Sequence, residues 1–216
     1  MPMLPLDYIV KVVVITSSGT LSPGPMTAST IAIGSNDGWK NGFKISIGHM
    51  IVEFPLVLLI ALGITTLLTI RIVEKVISFT GGTILILLGI LMFKDTFRKK
   101  VDDTNSSSNA TQSPIMIGIL LSLLNPYFLV WWILVGGSLI IEAVALAGLM
   151  GVGLMFIAHI WMDYAWLMLI AELSRRGKQI LKTKGYKVLL AGISLALIFF
   201  GLDFISLSIF GSGLLL

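Results

Sequence analysis

The chain has 216 residues, of which 56% are hydrophobic and only 12% charged, with a mean hydropathy of +0.99. A soluble domain carries about 25% charged residues, so this composition excludes one and points to a polytopic membrane protein. The net charge of +4 and pI near 9.4 argue for membrane topology rather than nucleic-acid binding, because the basic residues cluster beside apolar segments. The absence of cysteine excludes disulfides and thiolate metal sites.

Six spans are predicted, at 6–33, 42–70, 74–93, 115–141, 144–170 and 187–210. The first contains Ser22-Pro23-Gly24-Pro25. Proline removes a helical N–H and clashes with the preceding turn, and the residue before it avoids the α region. Serine is a favoured N-cap and proline a favoured first helical residue, so the motif reads as a helix start inside a span. Thr16, Ser17, Ser18 and Thr20 precede this break and add hydroxyls. Asp7 and Lys11, four apart, read as an interfacial ion pair.

The second span carries His49 and Glu53, four residues apart and so on one helix face. The linker Lys94–Ser113 is the one long polar stretch, and its VDDTNSSSNATQS composition predicts flexibility. It separates a first repeat, 1–93, from a second, 114–216. The fourth span repeats the break chemistry at Asn125-Pro126. The fifth carries His159 and Asp163, again four apart. Trp131, Trp132, Trp161 and Trp166 read as belt or packing residues. Asp203 in the sixth span is a further acid with no evident partner in the sequence.

The two histidine–acid pairs align at an offset of 110, the breaks at 103, and Lys75-Val76 with Lys187-Val188 at 112. Each half has three spans, an odd number, so the halves are expected to be inverted in the membrane. Twelve of the fifteen basic residues fall in the loops after spans 1, 3 and 5; Lys11, Arg71 and Lys75 lie on the other side. The positive-inside rule then places both termini outside a plasma membrane. The expected fold is an all-α bundle of six transmembrane helices in two inverted three-helix repeats, with helices 1 and 4 broken.

Hydrocarbon cannot satisfy the backbone groups freed at a break, so each break must face protein or a wet cavity. The N–H end suits a carboxylate and the carbonyl end an ammonium group, a combination that fits an amino acid. The chain resembles the lysine exporter type translocators through Ser22-Pro23-Gly24-Pro25, Gly38-Trp39-Lys40-Asn41-Gly42-Phe43, Gly48, Gly81-Gly82, Gly89, Leu124-Asn125-Pro126-Tyr127, Asp163 and Trp166. The resemblance implies export of amino acids or related small metabolites, driven by the proton gradient. His49-x-x-x-Glu53 departs from the family pattern.

The expected substrate site is Ser22, Pro23, Gly24, Pro25, Asn125 and Pro126. His49, Glu53, His159 and Asp163 are candidates for proton coupling. Two other readings stay open for them: structural intrahelical hydrogen bonds, or ligation of a divalent metal, which would make the chain a metal cation exporter. No resident metal and no cofactor are called for. No HExxH or nucleophile elbow is present, so an enzyme is not expected. The expected partners are the amino acid substrate, protons and membrane lipid, with no nucleic acid. A homodimer is compatible with so thin a bundle.

Overall fold

The computed structural model describes residues 4–63, 71–97, 113–180 and 182–214. Among them the chain is helical, with no strand. The helices are α1 (Leu6–Thr20), α2 (Pro25–Asp37), α3 (Trp39–Ala61), α4 (Arg71–Phe97), α5 (Pro114–Leu123), α6 (Pro126–Trp131), α7 (Gly137–Ile180) and α8 (Lys182–Phe210). A π-helical segment, Trp132–Gly136, joins α6 to α7. Four stretches are long and apolar enough to cross a membrane: Trp39–Ala61, Lys75–Lys94, Pro126–Lys178 and Lys187–Phe210.

The helix boundaries correct several expectations. The predicted second span ends early, at Ala61, and 64–70 lies outside the described residues. Lys94–Phe97 prolong α4 rather than opening the linker, whose remainder, 98–112, lies outside the described residues. The turn between the fourth and fifth predicted spans falls at Ala147-Gly148, not at 142–143.

Two glycines make the reversals. Gly38 (φ 58°, ψ −135°) separates α2 from α3, and Gly148 (φ 58°, ψ −148°) reverses the chain within α7. This corner of backbone space is essentially closed to residues with a Cβ.

Close helix crossings then set the layout. Gly48 of α3 lies against the Ile115 carbonyl of α5, and Gly118 of α5 lies against the Ile45 carbonyl of α3. Gly34 and Gly42 admit Ala171 and Leu167 of α7 in the same way. α4 packs along α8, where Gly82 meets Gly201, Gly89 meets Ile198, and Gly201 meets Ile86. Small residues serve membrane helix packing because backbones can then approach closely.

Two apolar clusters flank the interior. One joins Tyr8, Val12, Val57, Trp132, Leu139, Val152 and Phe156; the other joins Ala28, Leu85, Leu121, Leu197 and Phe204. Polar contacts tie the helix ends. Lys178 donates to Asn36 beside the α2–α3 turn (3.4 Å), and at the far end of α8 Ser208 donates to the Lys75 carbonyl (2.9 Å). Lys11 pairs with Glu142 at 2.5 Å, which corrects the expected Asp7–Lys11 pair.

Gly118→Ala should lower the thermal midpoint in detergent by the equivalent of about 1–3 kcal/mol, because its methyl would meet the Ile45 carbonyl. Gly153→Ala, where nothing beyond the adjoining helix backbone lies within 4 Å of the added carbon, should leave the midpoint unchanged or raise it slightly. Equal midpoints for both variants would refute the close α3–α5 contact.

Candidate transport site

Proline and small residues divide two helices in the interior. α1 ends at Thr20, where Leu21 and Ser22 donate back to Ser17 (3.0 Å) and Gly19 (3.2 Å). α2 begins at Pro25 with Gly24 as its N-cap, so Ser22 is not the cap that the sequence suggested. No side chain caps the N–H groups that open α2. The second break differs. α5 ends at Leu123, α6 begins at Pro126, and Asn125 caps it, accepting from the N–H groups of Tyr127 (3.0 Å) and Phe128 (3.3 Å). The two breaks therefore differ in chemistry: one keeps uncapped donors, and the other satisfies them internally.

Both breaks border one cavity of about 230 Å³. Ser22, Gly24, Pro25 and Asn125 line it, as do all four residues of the histidine–acid pairs. Pro23 and Pro126 do not; their part is to interrupt the helices. Thr16, Ser18, Thr20 and Thr27 add hydroxyls to the wall.

The two pairs form a single cluster. His49 Nε2 lies 3.3 Å from Glu53 Oε1 and 3.9 Å from Asp163 Oδ2. His159 Nε2 lies 3.2 Å from Glu53 Oε1 and 3.0 Å from Asp163 Oδ2. Each imidazole thus faces both carboxylates, and all four residues are at most 8% exposed. The i,i+4 spacing brings each pair onto one helix face, and the α3–α7 packing brings the two faces together.

Neighbouring helices hold this tetrad. The Gly48–Gly118 approach lets Ser122 of α5 reach His49, with Oγ 2.6 Å from Nδ1. The Ser122 hydroxyl donates to the Gly118 carbonyl (2.7 Å), so it accepts from His49 Nδ1–H and leaves Nε2 facing the acids. Thr20, the last residue of α1, donates to Asp163 Oδ1 at 2.8 Å. The indole of Trp132 donates to Glu53 Oε1 at 3.0 Å. Glu53 Oε2 and His159 Nδ1 are buried without a hydrogen-bond partner among the described residues.

Two contributors escaped the sequence reading. Trp132 looked like a packing residue; it is 1% exposed and holds a carboxylate. Ser122 carried no signal beyond lying three residues before Asn125. Asp203 is also partnered: Tyr127, a cavity-lining residue, donates to its Oδ2 at 2.6 Å, and the Leu214 N–H donates to its Oδ1. Trp166 Nε1 is buried with no hydrogen-bond partner among the described residues, and Trp161 donates to the Ala158 carbonyl within its own helix.

A family model for the LysE type translocator matches residues 17–208, nearly the whole chain and every cavity-lining residue except Thr16. The chain belongs to the LysE type translocator family. An uncharacterized membrane protein of Pseudomonas aeruginosa is 28% identical over 118 residues, 52% of this chain. The match spans 55% of that relative's length, about half. No solved structure matches the chain. As a LysE type translocator the protein stands among membrane translocators.

Trp132→Phe in this translocator keeps an aromatic ring but removes the donor to Glu53 and part of the buried indole volume. It should cost about 1.5–3 kcal/mol, the range for hydrogen bonds to charged groups, measured by unfolding in detergent. A loss below about 0.5 kcal/mol would mean that the indole does not hold the carboxylate.

Proposed function

We propose that the protein exports amino acids or related small metabolites across the plasma membrane in exchange for protons, by alternating access. The observation that carries this reading is the one cavity into which two interrupted helices and the His49–Glu53–His159–Asp163 tetrad all open. Irregular backbone at membrane depth is tolerated where it lines such a cavity, and interrupted helices are a recurrent way to build a midplane solute site.

The uncapped start of α2 is the subsite for the solute's carboxylate, through the N–H groups of Met26 and Thr27, where the helix dipole adds positive potential. Asn125 already takes the equivalent donors of α6, so that break shapes the wall rather than binding an anion. Glu53 and Asp163 stand across the same cavity as partners for positive charge, on the amino group or on the coupling cation. Exchange with protons follows from the family resemblance.

Six crossings in two inverted repeats give the moving parts. Three contact patterns support that arrangement. Gly38 and Gly148, at an offset of 110, share one backbone conformation. The His49–Asp163 and His159–Glu53 contacts exchange under the same offset. The Gly89–Ile198 and Gly201–Ile86 contacts exchange under an offset of 112. Both termini lie outside by the basic-residue asymmetry. The drift from 103 at the breaks to 110 at the turns has a local source: 15 residues separate Pro23 from Gly38, against 22 from Pro126 to Gly148, about two extra helical turns.

Purified protein in vesicles loaded with an amino acid should export it under an imposed pH gradient. Replacing Pro23 and Pro25 together with leucine should reduce the rate at least tenfold, and Asp163→Asn should remove its dependence on the gradient. Full-rate export by the leucine variant would refute the broken-helix site. Gradient-driven export by Asp163→Asn would refute the coupling role. A thermal-shift screen against amino acids selects the solute, since a bound ligand raises apparent stability.

A further inference from the structure

We propose that His49, Glu53, His159 and Asp163 form a binding site for one divalent transition-metal ion of the zinc class. The proposal rests on donor geometry; the ion would be the positive charge that Glu53 and Asp163 face in the cavity, and protons would compete with it for the same four groups.

Nitrogen and oxygen donors alternate around the tetrad, with neighbouring distances of 3.3, 3.9, 3.0 and 3.2 Å. A tetrahedral zinc ion with imidazole and carboxylate ligands at 2.0–2.2 Å sets adjacent donors about 3.4 Å apart. Donor atoms of His49, Glu53 and Asp163 lie within 4.8 Å of one another, and His159 Nε2 touches two of these three residues. His49, Glu53 and Asp163 are the compact core of the site, and the His159 side chain must move to become its fourth ligand.

The surroundings fit a cation. Two buried carboxylates in an apolar bundle need two units of compensating charge, which one divalent ion supplies as well as two protonated imidazoles do. Ligating groups are usually fixed by outer hydrogen bonds, and Ser122, Trp132 and Thr20 do this for His49, Glu53 and Asp163. The His159 ring is set by edge contacts with Trp132 and Phe156, at centroid distances of 5.4 and 6.2 Å. Glu53 Oε2, buried and unpartnered among the described residues, allows that carboxylate to bind through one oxygen or two. Each ligand pair sits on a single helix at i,i+4, a rigid mounting.

The donor set narrows the ion. Two imidazoles and two carboxylates, with no sulfur, suit zinc, cobalt or nickel better than copper(I), and imidazole disfavours magnesium and calcium.

The test uses the full chain in detergent, stripped with chelator and titrated with cobalt(II). One ion should bind per chain with the intense visible absorption of four-coordinate cobalt, and stoichiometric zinc should displace it. Zinc at a hundred times its Kd should raise Tm by about 5–10 °C, while magnesium and calcium should not. Glu53→Gln with Asp163→Asn should abolish the spectrum. Because that variant removes buried charges and can fail to fold, the unsubstituted chain decides on its own: a weak six-coordinate spectrum, or no zinc-dependent rise in Tm, overturns the proposal. A folded double variant that retains the four-coordinate spectrum overturns it as well.

Discussion

Burying two carboxylates and two imidazoles in an apolar bundle costs several kcal/mol per ion unless opposite charge and hydrogen bonds compensate, and the architecture is arranged around meeting that cost. The compensation comes from five elements. α3 and α7 contribute the ionisable groups, α5 reaches in with Ser122, α1 with Thr20, and the π segment with Trp132. The tetrad therefore ties together elements that the chain places far apart, such as Thr20 and Asp163, 143 residues from one another. Moving any of these helices changes the environment of a buried charge, so the electrostatics and the helix arrangement are one problem.

Packing makes this possible. Hydroxyl and indole donors are short, and they reach the acids only because glycines let backbones approach. The Gly48–Gly118 contact sets α5 close enough for Ser122 to meet His49, and Gly34 and Gly42 hold α2 and α3 against α7. Without a hydrophobic driving force between helices in lipid, such contacts and interhelical hydrogen bonds carry much of the association.

Much of this was legible in the sequence, because the signals were local. The breaks at Ser22–Pro25 and Asn125-Pro126 follow from proline chemistry alone, and the i,i+4 spacing of His49–Glu53 and His159–Asp163 needs only helical geometry. Asn125 as a cap was readable too. What escaped depended on which faces meet. No periodicity reveals that Trp132 turns its indole toward Glu53, or that Tyr127 answers Asp203. Ser22 was misjudged as a cap because Pro25 outcompeted Pro23 for the first helical position, moving the cap to Gly24. The Asp7–Lys11 pair gave way to Lys11–Glu142, an interhelical partner invisible to local spacing.

The caps of the two interrupted helices also set a polarity. Asn125 folds its own carboxamide over the start of α6, doing for that helix what an arriving anion would do. Gly24, with no side chain, leaves the start of α2 bare. The two breaks thus differ as a filled socket differs from an open one. Any inversion symmetry in the backbone is broken at the level of hydrogen-bond supply, and a ligand entering the cavity meets two unlike ends.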